Sequence, residues 1–361
     1  MPIDLKIRNI IKEVGHIKID DMMREALTTN NDSYYRSVQN LGEGGDFITA
    51  PEISQLFGEV IALWAIEKWK ELGSPSSFAL VELGGGQGKL MRDFLRTAKL
   101  VPEFFKAAKI CLFEVNPHFI KKQQQHLDQY DKQTTWLSDL KNLPKLPTIL
   151  IANEFFDALP IKQYLKSKDN WFEQVLVIDP SDGMVKHHKL ELHKTLKGQL
   201  LLDHTSAQDG AILEESVDAF NMMRLIAKNL SKYGGASLII DYGYDIDVNV
   251  RTRKQYNATL QAIKNHKYES IIATMGEADL TAHVDFNALK KVSTEQGLEK
   301  QTIFSQGEFL AKYGIDLRLD SLKQKLPKSD SEVLERQVYR LTAKSQMGEL
   351  FKVLEVFNSA V

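Results

Sequence analysis

Cysteine is almost missing: Cys111 is the only one in 361 residues. A single thiol can neither close an internal disulfide nor build a Cys-based zinc cage, so the composition fits a reducing compartment. Long apolar runs are missing too. No stretch approaches the roughly 18 residues that cross a bilayer, and no membrane insertion is expected. An excess of one charge is also lacking, with 46 Lys+Arg against 48 Asp+Glu and a net charge of −2. Without a positive field to draw it in, a nucleic-acid partner is disfavoured. The first residues, Met1-Pro2-Ile3-Asp4-Leu5-Lys6, carry an early acid with no apolar block behind it, unlike a secretory signal. They also lack the Arg/Ser-rich, acid-poor texture of a transit peptide. The chain therefore reads as cytoplasmic. What remains is ordinary for a folded protein: 43% hydrophobic, 26% charged and 9% aromatic residues. A mass of 41.0 kDa allows about two domains, or one with large insertions.

Helical spacing of Ile3, Ile7, Ile10, Ile11, Val14 and Ile17 predicts helix over 3–27, and a second helical pattern runs from Pro51 to Leu72. Short apolar runs then alternate with helical stretches: Phe78–Leu83, Ile110–Val115 and Thr148–Ala152 read as buried strands, with helices near Leu90 and over Pro117–Tyr130. Strand, helix, strand, helix, strand implies βαβ units and a parallel sheet. Residues Trp171–Ile178 and Met184–Leu192 alternate instead, around Pro180-Ser181-Asp182-Gly183, which predicts an inserted antiparallel hairpin. The parallel pattern returns with a helix near Glu214–Leu230, a strand at Ala236–Ile240, and a final helix over Met347–Phe357. The expected organisation is an N-terminal helical region with a lid loop (1–73), a Rossmann-like half-sheet (74–160), the inserted hairpin (161–212), and the second half-sheet with C-terminal helices (213–361).

Val81-Glu82-Leu83-Gly84-Gly85-Gly86-Gln87-Gly88-Lys89-Leu90 is a glycine-rich turn from strand to helix, where backbone can approach a ligand. It is not a P-loop, since Leu83 stands where the first glycine belongs and Leu90 where Ser/Thr belongs. Nor is it a dinucleotide fingerprint, whose third glycine would fall on Lys89. Gly84, Gly86 and Gly88 preceded by an acid follow the pattern of S-adenosylmethionine (SAM) methyltransferases. SAM has no pyrophosphate to neutralise and carries an ammonium, so Glu82 beside the glycines is chemically useful. Glu114, at the end of the next strand, is placed to accept from ribose hydroxyls. Asp139 would lie near the adenine amino group.

Gly45-Asp46-Phe47-Ile48-Thr49-Ala50-Pro51-Glu52-Ile53-Ser54, the glycine loop, Ala152-Asn153-Glu154-Phe155-Phe156-Asp157-Ala158-Leu159-Pro160, Ile240-Asp241-Tyr242-Gly243 and Asp279-Leu280-Thr281-Ala282-His283-Val284-Asp285-Phe286 resemble the signature blocks of the MidA-like family. That family includes the arginine methyltransferase that assists assembly of mitochondrial respiratory complex I. The resemblance implies a class I SAM-dependent methyltransferase, an α/β Rossmann-like doubly wound sheet, with SAM as cofactor and S-adenosylhomocysteine as product. It implies arginine methylation on a protein client, with a complex I subunit as the candidate. The sequence departs from the family's usual loop at Gly85, Gln87 and Lys89, which replace proline, arginine and threonine, and at Ala258, which replaces the glycine of its Gly-Thr-Leu block. The expected cofactor set is Glu82, Gly84, Gly85, Gly86, Gly88, Glu114, Asp139 and Asn153.

Arginine is a poor nucleophile, and two carboxylates gripping its N–H groups can aim one nitrogen at a methyl donor. Glu154 and Asp157 are the expected catalytic pair; the competing reading makes Asp157 a cap and leaves Glu154 solvated. Asp46, Thr49 and Ser54 belong to the expected lid, with Thr49 alternatively a helix cap. Asp241 and Tyr242 end a core strand near the site, where Asp241 could equally tie down a loop. His187 and His188 alternate in facing along their strand, and no metal site is expected. Two other functions keep the same glycine loop: a non-catalytic SAM-binding assembly factor, and a small-molecule O- or N-methyltransferase.

Overall fold

The computed structural model describes residues 1–38, 48–247, 250–251 and 256–359. Seven strands build its central sheet: β1 (Phe78–Leu83), β2 (Ala108–Phe113), β3 (Thr134–Leu137), β4 (Thr148–Asn153), β5 (Gly235–Tyr244), β6 (Lys300–Ser305) and β7 (Phe351–Asn358). They lie in the order β6-β7-β5-β4-β1-β2-β3. All neighbours are parallel except at β7, which runs antiparallel to β5 and β6. A two-residue strand, Val284–Asp285, adds in parallel to the end of β5. Every residue of β1 and β4 is buried, as expected for central strands covered on both faces, which is why both read as continuous apolar runs.

Alternate residues of these strands feed two cores. Phe78, Leu80, Ile110 and Leu112 pack with Phe57, Trp64 and Phe94 on one face. Val81, Leu83 and Leu150 pack with Met223, Ile226 and Leu230 on the other. Chain order runs outward in one direction from β1 to β3 and in the other from β4 to β5. The β1/β4 boundary is thus a topological switch point, and ligands of such sheets bind outside its carboxyl edge. Among the described residues no helix is long and apolar enough to cross a membrane.

Several local expectations need correction. The N-terminal helical stretch breaks at Gly15 (φ 89°) into helices Ile3–Val14 and Ile19–Leu27. Between them Ile17–Lys18 pairs with Leu176 and Val175. The Pro51–Leu72 pattern is two helices, Ala50–Ile53 and Gln55–Glu71, separated by Ser54, whose Oγ accepts from the Leu56 N–H at 3.4 Å. The expected final helix is only Met347–Leu350 before β7 begins. Phe351, Val353, Leu354, Val356 and Phe357 are all buried between β5 and β6, so burial on both faces prevails over an ambiguous short apolar period. Asp139 follows β3, a short half-exposed strand that the apolar-run reading passed over.

The expected hairpin is present, with Phe172 opposite Glu191 and Ile178 opposite Val185. It belongs to a larger antiparallel sheet that also takes in Lys162–Ser167, Ile212–Glu215 and Ile17–Lys18. Below it Ile7, Met22, Met23 and Leu27 share one core with Ile161, Leu176, Met275 and Leu280. That core carries the N-terminal helices and the strand Asp279–Thr281 to the rim of the central sheet.

Candidate active site

At the carboxyl edge of β1 the backbone turns through Gly84 (φ 64°), Gly86 (φ 49°) and Gly88 (φ 82°), conformations that L side chains rarely adopt. Space is as restrictive as dihedral angle. A Cβ at Gly84 would lie 2.6 Å from the Phe155 ring, and one at Gly85 would lie 2.8 Å from Glu82 Oε2. The loop is pinned by Gly84 N–H to the Phe113 carbonyl (2.8 Å) and Gly88 N–H to the Gly85 carbonyl (2.8 Å). It then enters helix Lys89–Ala98.

This loop borders a cavity of about 510 Å³, whose walls include Glu82, Glu114, Asn153, Glu154, Phe155 and Tyr35. That size suits a cofactor or drug-sized ligand. Glu82 is buried, and its Oε2 has no hydrogen-bond partner. Burial, and then the neighbouring Glu114 charge, push its carboxyl up to about 8. Glu114 is held more firmly: Oε1 accepts from Val115 N–H (2.8 Å) and Asn116 N–H (2.9 Å), and Oε2 from Gly86 N–H (3.1 Å) and Gln123 Nε2 (3.4 Å). Burial pushes it up to about 7 against those donors.

The turn after β4 is built by Asp241. Its Oδ2 accepts from the N–H groups of Phe155 (3.2 Å), Phe156 (3.0 Å) and Asp157 (3.1 Å), and its Oδ1 from Tyr242 N–H (3.0 Å). Four charge-assisted bonds lock a turn in which Glu154 takes the left-handed conformation at φ 50°. Asp241 thus ties down a loop, the second of the two roles its position allowed. Glu154 Oε1 accepts from Ala50 N–H (2.8 Å) and Asn153 Nδ2 (3.1 Å), while burial pushes its carboxyl up to about 7. Asp157 is buried, and Oδ1 has no partner. Burial, then the Glu154 charge, raise it to about 7. Burial, then the Asp157 and Glu154 charges, push Asp241 well up too, against its backbone donors.

Glu82, Gly84, Gly85, Gly86, Glu114, Asn153, Glu154 and Thr49 line the one cavity. Gly88 supports it from below, where a Cβ would meet Gln123 at 3.1 Å. Asp157, Asp241 and Tyr242 do not line it but adjoin it, on or against the turn that carries Glu154 and Phe155. Tyr242 packs edge-on to His283 (5.1 Å) and accepts from Gln261 Nε2 at 3.3 Å. Two expected residues do not join. Asp139 caps the turn Leu140–Asn142 by accepting from Lys141 N–H at 2.8 Å, outside the cavity wall, because the chain turns at once into that 3-10 segment. Ser54 is buried as the cap of its helix and faces away. Thr49 precedes helix Ala50–Ile53 without a side-chain cap bond, and Asp46 lies outside the described residues. Sequence reasoning missed Tyr35, Arg24 and the Glu52–Lys89 ion pair, all in the cavity wall. Helical periodicity marks core faces; Arg24, Glu52 and Lys89 lie off them, and Tyr35 sits only at the margin of its core.

Two buried acceptors without partners, Glu82 Oε2 and Asn153 Oδ1, and a loop that excludes any Cβ fit a ligand rich in donors that approaches backbone closely. S-adenosyl-L-methionine, with its ammonium and ribose hydroxyls, has that character. A family model described as S-adenosyl-L-methionine-dependent methyltransferase matches residues 60–304. The chain belongs to this MidA-like methyltransferase family. It is a SAM-dependent methyltransferase, with SAM as its cofactor. The chain is 34% identical to the "Protein arginine methyltransferase NDUFAF7, mitochondrial" of Xenopus tropicalis, covering 96% of this chain and 83% of that one. It is 32% identical to the Homo sapiens protein of the same name, covering 94% and 80%. A superfamily member from Burkholderia thailandensis, crystallised with S-adenosyl-homocysteine, superposes with a TM-score of 0.86 at 23% identity, covering 99% of this chain and 92% of that one. That likeness establishes the fold. The cytoplasmic reading is overturned, because the named relatives are mitochondrial proteins. Scarcity of cysteine distinguishes only reducing from oxidising compartments, so it could not tell the cytosol from other reducing spaces.

Proposed function

We propose that this methyltransferase acts on an arginine guanidinium of a protein client, with Glu154 and Asp157 as the gripping pair. The supporting observation is that pair itself: two carboxylates on one locked turn beside the cofactor cavity, neither in an ion pair among the described residues. Both are pushed up by burial, the response of acids held without a cation. A guanidinium supplies the missing charge and donors to both at once. Glu154, anchored by Ala50 and Asn153 through Oε1, orients the acceptor. Asp157 draws the proton that the nitrogen must release. When bound, SAM supplies an electrophilic methyl group on a sulfonium, displaced in line. Glu82 takes its ammonium and Glu114 its ribose hydroxyls. The names of the relatives, protein arginine methyltransferases, support the same acceptor. The family resemblance implies a respiratory complex I subunit as client.

The test is label transfer from methyl-labelled SAM into a cell extract lacking this protein, followed by hydrolysis of the labelled band. Methylarginine with wild type and none with Asp157→Asn supports the reading, provided the variant binds SAM within about twofold of wild type. Label on lysine, on small molecules, or nowhere rejects it.

A further inference from the structure

The acids at this edge do not end with Glu154 and Asp157. Asp279 is 2% exposed and accepts from the Tyr35 hydroxyl at 2.5 Å. Its strand is fastened to the same turn, because Ala282 N–H donates to the Asp157 carbonyl at 2.9 Å. Tyr35 arrives from the opposite side, on the short helix Tyr34–Ser37, and is braced edge-on by Tyr34 at 5.2 Å and 82°. Its side chain shares the cavity wall with Asn153, Glu154 and Phe155.

An aromatic wall and a carboxylate-bearing turn therefore border one space. At that turn two buried acceptors lack partners, Asn153 Oδ1 and Asp157 Oδ1, on residues 9% and 7% exposed. Unsatisfied acceptors call for donors, and a flat cation calls for a π face. A guanidinium is both, with five N–H donors in one plane. The Tyr35 hydroxyl is already committed to Asp279, so what it offers an acceptor is its ring.

Resting on the arginine reading, we propose that Tyr35 is the wall on which the acceptor guanidinium stacks, and that Asp279 is a positioning residue that fixes the angle of that ring. The N-terminal helical region thereby contributes a substrate contact, carried to the sheet edge by the core it shares with Asp279's strand. Three parts of the chain that are distant in sequence then meet on one side chain of the client.

The test uses the arginine peptide recovered from the labelled band, with kinetics on the full chain and SAM binding by calorimetry. Tyr35→Leu removes the ring and is expected to raise the peptide KM about tenfold, equivalent to about 1.4 kcal/mol, with the SAM Kd within twofold. Tyr35→Phe keeps the ring and loses the bond, for a two- to threefold rise. Asp279→Asn matches it, and the double variant is no worse than either single one, since both act through one contact. A wild-type KM in Tyr35→Leu overturns the inference. So does a SAM Kd that moves in step with KM, or additive effects of Tyr35→Phe and Asp279→Asn. If Tyr35→Leu does not fold, the two conservative variants decide. If the wild type labels no arginine, the functional reading itself falls; if it does and these variants are silent, only this inference falls.

Discussion

Cofactor binding should release a proton from Glu82, and the size of the effect follows from its environment. With its carboxyl at about 8, Glu82 is neutral at pH 6 in the unbound protein, whereas an ammonium beside it favours the carboxylate. The sign is therefore fixed: binding strengthens as pH rises toward 8, because less free energy goes into ionising the acid. The ionised fraction grows from about 1% at pH 6 to about 24% at pH 7.5, a rise in SAM affinity of about twentyfold. The window stops at pH 7.5 because an α-ammonium has an ordinary value of about 7.7–8.0 and the ligand itself starts to lose charge above it. Glu114, at about 7, adds a smaller component, at most about eightfold over the same interval. Glu82→Gln removes the first component and leaves the second. Calorimetry at pH 6 and 7.5, each in two buffers of different ionisation enthalpy, reads both affinity and protons released. A pH-independent affinity, or a Glu82→Gln variant that keeps the full slope, would rule out proton release from Glu82.

Other perturbations bear on the scaffold around the site. Asp241→Asn turns one accepting oxygen into a donor, so at least one of four backbone N–H groups faces a donor, at about 1.5–3 kcal/mol. Relief of its repulsion with Asp157 offsets part of this, for a net loss of about 2 kcal/mol in denaturant unfolding; an unchanged unfolding midpoint would contradict the assigned role. Gly84→Ala meets both a φ of 64° and the Phe155 ring at 2.6 Å, and should weaken SAM binding more than tenfold. Gly73→Ala, at φ 81° with nothing within 4 Å, costs about 1 kcal/mol of strain and should leave SAM affinity unchanged. Equal effects of the two on affinity would show that backbone strain alone, not the shape of the loop, is being measured.

The parts of the molecule legible in the sequence are those whose chemistry is local. Gly84, Gly86 and Gly88 announce themselves because positive φ demands glycine, and β1 and β4 because strands buried on both faces are largely apolar. Glu82, Glu114 and Glu154 follow from being next to such features. What stayed hidden depends on partners far along the chain. The two residues Ile17–Lys18 carry no strand signal of their own and become a strand only because Leu176 and Val175 are there to pair with. Phe351–Asn358 has a composition that serves a helix or a strand, and its place between β5 and β6 decides. Asp139 has the right position in the chain, yet its carboxylate is taken by the backbone two residues on. Tyr35 and Asp279 are separated by 244 positions; Asp279 opens a family block, but nothing in the sequence pairs it with Tyr35.

The proposed reaction moves a methyl group from SAM to an arginine gripped by Glu154 and Asp157. Amino-acid analysis of the protein band labelled by wild type and by Asp157→Asn, at equal SAM occupancy, addresses it most directly. Labelled methylarginine is expected with the wild type and none with the variant. Labelled methylarginine at wild-type yield from Asp157→Asn, or label on any other residue, would contradict it.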